Sequence, residues 1–491
     1  MRTLTFSFLV LSFALCSTRL EAQYPGAVPG TDQVTGTLTL KQAVDIAIKN
    51  NLIVNNFDIT SSGARILYDQ AWEYMLPNLQ GTVGQQLNFG RNISSVNNQY
   101  VNTQYESGSA GVQGSVYLFR GLQYQNGLKA QRYAFEASKK DLQWQKDNIT
   151  LSVLSAYLAV LNNQEQVRLA TQQSVADSLQ LERLRQLAAE GALNPASGLT
   201  DLQGQYAGDL INISSAINIL ENSKVTLFNL LNIPYNRDIQ YQNDVSAIDM
   251  AQNQPAPDTI FRQALSIIPT IQSAQLRVSQ YQRALARARG GYFPNIQLYG
   301  GVSTNWTNSP GGTYTPTDSG YTQQKGVYAD NGGIQNPIYQ YGYTNGYTTY
   351  PKWWEQFKNN RGEYVGIQVN IPILNGFQIR NQVRQAKLDL KTAQLNNANA
   401  RNLLQQNVET AFQNMIAAYK NYKFYMDQAK AYEESFRITD IRFTEGVIAA
   451  DFYLPAKARR DAAEVNLTAA KYIYIFRTKL LDYYQGKLTL Q

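Results

Sequence analysis

Histidine is missing from all 491 residues, and cysteine occurs once, at Cys16. That cysteine ends an apolar stretch, Leu4 to Cys16, which follows Arg2 and precedes Leu20-Glu21-Ala22. A positive start, a short apolar run and a small residue behind it are the marks of an export signal, so residues 1–22 are expected to be a signal peptide cleaved after Ala22. Leu15 stands where a lipoprotein signal carries a small residue, which argues against acylation of Cys16. The mature chain then offers no thiol and no imidazole. Disulfides, thiolate or imidazole metal sites and histidine general-base chemistry are excluded. No motif suggests a serine–lysine or paired-carboxylate enzyme, and neither catalytic residues nor a cofactor are expected.

Long apolar runs are missing too. Beyond the signal, no stretch approaches the roughly 20 apolar residues of a membrane helix. Charge is modest: losing Arg2, Arg19 and Glu21 takes the formal net charge from +7 to +6. No basic run tracks a phosphate backbone, so nucleic acid is not an expected partner. An exported chain without a membrane helix is either soluble or held in a membrane as a β-barrel, because only helices and closed barrels satisfy their backbone in lipid.

The chain repeats itself. Shifted by 217 residues, Leu76-Pro77-Asn78 falls on Phe293-Pro294-Asn295 and Ala47 on Ala264. Shifted by 255, Phe119-Arg120-Gly121 falls on Leu374-Asn375-Gly376 and Glu190-Gly191 on Glu445-Gly446. The change of offset places an insertion of 38 residues inside the second copy. A duplicated unit with one elastic loop follows.

Four runs alternate with period two. Leu79, Val83, Leu87 and Phe89 are interleaved with Gln80, Thr82, Gln86 and Asn88. Ala110, Val112, Val116 and Leu118 are interleaved with Gln113 and Ser115. Ile296, Leu298, Val302 and Trp306 flank Gln297, Ser303 and Asn305, and Val365, Ile367, Val369, Ile371 and Ile373 flank Gln368 and Asn370. Strands with one apolar face are predicted at 79–90, 109–119, 295–306 and 363–374. Each is about the length a tilted strand needs to cross a bilayer. A half-buried soluble sheet is the alternative, but the polar face is almost free of the Lys and Glu that coat soluble surfaces. Four strands are too few to close a barrel, so a membrane barrel would have to be shared between chains.

Between Gly121 and Glu190, and between Gly376 and Glu445, there is no proline. Leu151, Leu154, Leu158 and Leu161 step by 3, 4, 3, as do Phe412, Met415, Tyr419 and Tyr422. The spacing is that of a coiled coil and predicts helices over 121–190 and 376–445, each about 105 Å long. An ordinary dimeric coiled coil or a stalk would show the same spacing. Gly191 and Gly446 fit left-handed C-caps, and helices return over 197–231 and 451–485. Shorter helices over 39–74 and 258–292 lead into the strands. They stop at Pro77 and Pro294, because proline disfavours helix in the residue before it. Gly121 and Gly376 mark the reverse switch from strand to helix.

The order and spacing of Leu38-Thr-Leu-Lys-Gln-Ala43, Leu76-Pro77-Asn78 with Phe293-Pro294-Asn295, Leu118-Phe119-Arg120-Gly121 with Ile373-Leu374-Asn375-Gly376, and the tips at Glu190-Gly191 and Glu445-Gly446 resemble the TolC-like outer-membrane efflux protein family over nearly the whole mature chain. Asn88-Phe-Gly-Arg-Asn-Ile-Ser-Ser95 is similar to members from the Bacteroidetes. The resemblance implies a mainly α fold with a small β part. Long coiled-coil α-hairpins would form a periplasmic α-barrel, and four strands per chain would contribute to a trimeric 12-stranded transmembrane β-barrel. It implies repeats at 23–234 and 258–486, an equatorial linker at 235–257 and a tail at 487–491. It also implies a non-enzymatic channel in outer-membrane lipid: a homotrimer docked through a periplasmic membrane-fusion adaptor onto an inner-membrane pump of the RND or ABC type. Gly191, Ala192, Leu193, Gly446, Val447 and Ile448 would be the adaptor contacts. Asp201, Arg442, Glu445 and Asp451 are candidates for the aperture gate, although neither aspartate keeps the family spacing and solvated helix ends explain these charges as well. A secreted soluble coiled-coil structural protein is the alternative.

The insertion falls in 309–362, dense in tyrosine and glycine: Tyr339, Tyr341, Tyr343, Tyr347 and Tyr350, then Trp353-Trp354. A partly ordered external surface loop is expected, in preference to a lid or a saccharide contact.

Overall fold

The computed structural model describes residues 36–93, 100–190, 198–243, 255–308, 313–349 and 351–488. The expected signal peptide, 1–22, and much of the linker, 244–254, lie outside the described residues. In chain order the elements of the first repeat are β1 (Thr37–Leu38), α1 (Leu40–Asn50), α2 (Leu52–Glu73), β2 (Asn78–Ile93), β3 (Tyr100–Arg120), α3 (Gln123–Ala189), α4 (Leu199–Leu231) and β4 (Gln240–Tyr241). The second repeat has α5 (Pro257–Ile267), α6 (Pro269–Arg289), β5 (Asn295–Thr307), β6 (Thr313–Asn331), β7 (Ile334–Thr349), α7 (Trp353–Asn359), β8 (Gly362–Asn370), α8 (Gln378–Thr444) and α9 (Ala450–Tyr484). The chain divides into two compact units, one formed by the described parts of 1–66, 132–280 and 391–491, the other by 67–131 and 281–390.

The first unit is helical and has two cores that follow the duplication. In one, Ala43, Val44 and Ala47 of α1 pack with Val153, Leu154, Leu158 and Leu161 of α3 and Leu227 and Leu231 of α4. In the other, Ile260 and Ala264 of α5 pack with Val408 and Met415 of α8 and Tyr474 and Leu481 of α9. Ala47 and Ala264, matched by the 217-residue offset, are both fully buried. The Tyr157 hydroxyl lies 2.8 Å from the carbonyls of Leu38 and Gln242 and fastens the parallel β1–β4 pair to α3.

Neither short lead-in helix is continuous, contrary to the expectation of single helices over 39–74 and 258–292. Thr39 opens α1 with a capping box: its Oγ1 accepts from the Gln42 N–H at 3.1 Å, and Gln42 Oε1 accepts from the Thr39 N–H at 3.0 Å. Asn51 then leaves the helix with ψ 123°, and its Oδ1 accepts from the N–H groups of Ile53 and Val54, so it ends α1 and caps α2. In the second repeat Pro269 forces the same break. Ile268 before it is extended at φ −67°, ψ 123°, and proline opens α6.

The second unit carries an antiparallel sheet in the order β2-β3-β5-β8. Its strands are the four alternating runs, with changed ends. β2 and β3 run longer than predicted, while β8 stops at Asn370 rather than 374, because Pro372 has no N–H for the ladder. A bulge between Tyr117 and Phe119 leaves Leu118 without a cross-strand partner and puts Phe119 opposite Ile296. The insertion is also more regular than expected. β6 and β7 pair as a long antiparallel hairpin across a two-residue Gly332-Gly333 turn with both φ positive, and α7 follows. Tyr350 and residues 309–312 lie outside the described residues.

Both strand-to-helix switches use two successive left-handed residues, Gly121-Leu122 at φ +55° and +59° and Gly376-Phe377 at +60° and +63°. The two glycines differ in surroundings. A Cβ on Gly121 would collide with the Gly290 carbonyl oxygen, whereas one on Gly376 would meet nothing within 4 Å. Gly376→Ala is therefore expected to cost about 1–2 kcal/mol, the left-handed penalty alone. Gly121→Ala should cost more and displace the turn at Gly290; thermal unfolding of the two variants side by side checks the order.

Candidate functional site

Register sorts the side chains of the four-stranded sheet onto two faces. Leu79, Val83, Leu87 and Phe89 of β2 share a face with Ala110, Val112 and Val116 of β3, Ile296, Leu298, Val302 and Trp306 of β5, and Val365, Ile367 and Val369 of β8. On the outer strands they are exposed, with Val83 90%, Val365 81% and Leu79 75% accessible, while Ala110, Val116, Ile296, Leu298 and Trp306 of the inner strands are half-buried. The opposite face carries Gln80, Thr82, Gln86, Gln113, Ser115, Gln297, Ser303, Asn305, Gln368 and Asn370, as the alternation predicted. Among the described residues its one charged side chain is Arg120, at the last rung of β3 opposite Asn295. The outer strands β2 and β8 each pair on one side only.

At the second hairpin tip Gly446 takes φ +71°. Its N–H donates to the Phe443 carbonyl at 3.1 Å and the Val447 N–H to the Arg442 carbonyl at 2.8 Å, a Schellman cap that ends α8 where the glycine predicted it. Val447 is 65% exposed and Ile448 is half-buried. Gly191, Ala192 and Leu193 of the first tip lie outside the described residues.

The candidate gate charges do not converge within one chain. Asp201 is in the first turn of α4, Arg442 in the last turn of α8, Glu445 just beyond it and Asp451 in the first turn of α9. All four are exposed, and none makes an ion pair among the described residues. Near the tips, Arg183 Nη2 of the first hairpin donates instead to the Thr444 carbonyl of the second at 3.0 Å.

A buried charge cluster ties the hairpins together, and the sequence reading missed it. Lys457 of α9 is 1% exposed, and its Nζ lies 3.0 Å from Asp177 Oδ2 of α3 and 2.8 Å from Asp461 Oδ2. Arg460 holds Asp461 Oδ1 at 2.5 Å, approaches Glu433 and lies over the Phe436 ring at 4.3 Å. Asp209 of α4 is buried beside Asp177 and accepts from Gln205 Nε2 at 3.1 Å. The Tyr453 hydroxyl feels the same field, and burial raises its pKa. Burial first, then the Asp209 carboxyl, pushes the Asp177 carboxyl up to about 7, against the pull of Lys457. A proton on one of the two carboxyls supplies a donor toward the other. Asp177 stands between buried Ser174 and Leu181 at spacings of 3 and 4, a charge on the inward-facing stripe of the helix.

One chain therefore combines a sheet that has one polar and one largely apolar face with a duplicated pair of long helical hairpins. The comparisons carry this further. Residues 260–475 match the family described as "Outer membrane efflux protein". No curated protein matches the chain. Among solved structures, the fold is similar to the outer membrane protein VceC of Vibrio cholerae (TM-score 0.69, 11% identity, 91% of this chain and 96% of that one). It is similar also to the Campylobacter jejuni CmeC outer membrane channel (0.67, 16%, 92% and 86%) and to the Neisseria gonorrhoeae MtrE outer membrane channel in its open state (0.63, 17%, 92% and 90%). The family match thus covers most of the second repeat, and the fold of nearly the whole chain is similar to these outer membrane channels.

The cluster makes two predictions. The folded state keeps Asp177 protonated up to about pH 7, while the unfolded chain releases that proton near pH 4. Its contribution is therefore fully present below about pH 4 and is lost as pH rises through about 7. Thermal unfolding should come at lower temperature at pH 8 than at pH 5, and Asp177→Asn should flatten that dependence. Lys457→Met, which takes the buried cation from Asp177 and leaves Asp461 with Arg460 alone, should cost about 3–5 kcal/mol in denaturant unfolding.

Proposed function

We propose that this protein is the outer-membrane exit duct of a tripartite export system, conducting cargo passively. The observation that carries the reading is the four-stranded sheet: one largely apolar face, one polar face whose single charge among the described residues is Arg120, and two open edges. From Ile296 to Trp306, at about 3.3 Å per residue and a tilt of about 40°, this face is roughly 25 Å tall, the height of the lipid-facing band of outer-membrane barrels, with Glu363 and Glu106 standing on it toward the Trp306 end. A soluble coiled-coil protein has no use for such a face.

In lipid an open strand edge leaves several kcal/mol of unsatisfied backbone per group, so β8 of one copy must pair with β2 of the next. Four strands per chain reach a closed barrel only with further copies, and three copies give the 12-stranded barrel of the family reading. The polar face then lines the pore, and the helical unit lies in the periplasm. Exposed Val447, half-buried Ile448 and Gly446, with Gly191, Ala192 and Leu193 of the other tip, dock the periplasmic adaptor, which couples the duct to an inner-membrane pump. Asp201, Arg442, Glu445 and Asp451, without an ion pair among the described residues, would pair between copies around the aperture.

The cysteine-free mature chain makes the test simple. Cysteines at Val83 and Val365, on the two open edges, are expected to be joined by a long flexible bismaleimide into dimers and trimers in isolated outer membranes, with nothing larger. A product that stays monomeric, or chain recovered without membranes, overturns the reading.

A further inference from the structure

Arg120 is the one charged side chain on the polar face of the sheet among the described residues, and its surroundings hold it there. Its Nη1 donates to the Tyr124 hydroxyl at 2.7 Å. Its guanidinium lies 4.8 Å from the centre of the Tyr117 ring and 5.0 Å from that of Tyr124. The two rings pack edge to face with centroids 5.9 Å apart. Tyr117 is on the polar face opposite Gln297, and the bulge at Leu118 returns Arg120 to that same face. Aromatic faces attract a cation without neutralising it, and no carboxylate pairs with Arg120 among the described residues. The duplication does not repeat the charge, because the 255-residue offset puts Asn375 at the matching place.

We propose that Arg120 sets the ion preference of the strand-lined part of the duct, favouring anions and anionic solutes. The inference rests on the barrel reading, in which each copy contributes one Arg120 to a ring at a single level of the lumen. Twelve strands about 4.8 Å apart and tilted by about 40° enclose a backbone radius of roughly 12 Å. An inward arginine brings its charge to within about one Debye length, ~8 Å at 0.15 M salt, of the axis. Rings of fixed charge in such a bore select by sign. Because the field is screened, the preference should be strong at 10 mM salt, where the Debye length is about 30 Å, and nearly absent at 1 M, where it is about 3 Å.

The test is the reversal potential of the purified full-length oligomer in a planar bilayer under a potassium chloride gradient. Wild type, Arg120→Gln and Arg120→Lys are compared, with the oligomer mass of each taken first. Arg120→Gln is expected to shift the anion-to-cation permeability ratio toward cations, by about two- to threefold near 0.15 M salt, by more at 10 mM and by almost nothing at 1 M. Arg120→Lys, which keeps the charge, should stay near wild type. Equal reversal potentials for wild type and Arg120→Gln at 10 mM, in oligomers of equal mass, overturn the proposal. A wild type that forms no conducting oligomer overturns the barrel reading beneath it instead.

Discussion

The rest of this structure depends on one constraint: backbone N–H and C=O groups at a strand edge must find partners, and lipid offers none. β2 and β8 are such edges, and the apolar residues beside them, Leu79, Val83, Val365 and Ile367, suit a greasy surround. On the proposed reading a single chain is therefore not the finished object. Closure by neighbouring copies would satisfy the edges and turn the polar face inward in the same step. The insertion cooperates at the rim. Above Gly362 the strand β5 has lost its β8 partner, and Gln356 of α7 replaces it: its amide donates to the Thr307 carbonyl at 2.8 Å and accepts from the Thr307 N–H at 3.0 Å. That side chain is 5% exposed and stands in for a strand rung.

The helical unit solves a different problem. Its long helices are polar over much of their surface, and their apolar stripes are narrow, so alanine and leucine make the cores and aromatic rings fill them around Tyr474. Into this packing the chain sets Lys457 with Asp177, Asp209 and Asp461. A buried ionic group of this kind is weak evidence for stability, since apolar side chains of the same volume often do as well. Its geometry instead ties α3 and α4 of one hairpin to α9 of the other in a single arrangement. A link that depends on one proton near pH 7 can also be loosened by a small change in conditions.

Much of this was legible because it is periodic or local. Strand alternation placed the wet and greasy faces, the prolines at 77 and 294 and the glycines at 121 and 376 marked the switches, and Gly446 marked a tip. What escaped was of two kinds. Some signals were present but unread: Pro269 breaks a helix, Asn51 can cap one, and Gly332-Gly333 between alternating tyrosine-rich runs is a hairpin turn. Others are not local at all. The bulge at Leu118 depends on the register with β5, and the pairing of Lys457 with Asp177 joins residues far apart in sequence. Arg442 and Glu445 looked like a gate because they are charged and near a tip, but whether such charges meet is decided by chains packing together, which no single-chain pattern encodes.

The central claim is that the polar face lines a pore closed by several copies. Single-channel conductance of detergent-extracted protein in a planar bilayer, with oligomer mass measured on the same sample, tests it most directly. The account predicts trimers that insert and conduct. Monomers or dimers that remain in solution without detergent and never conduct would contradict it.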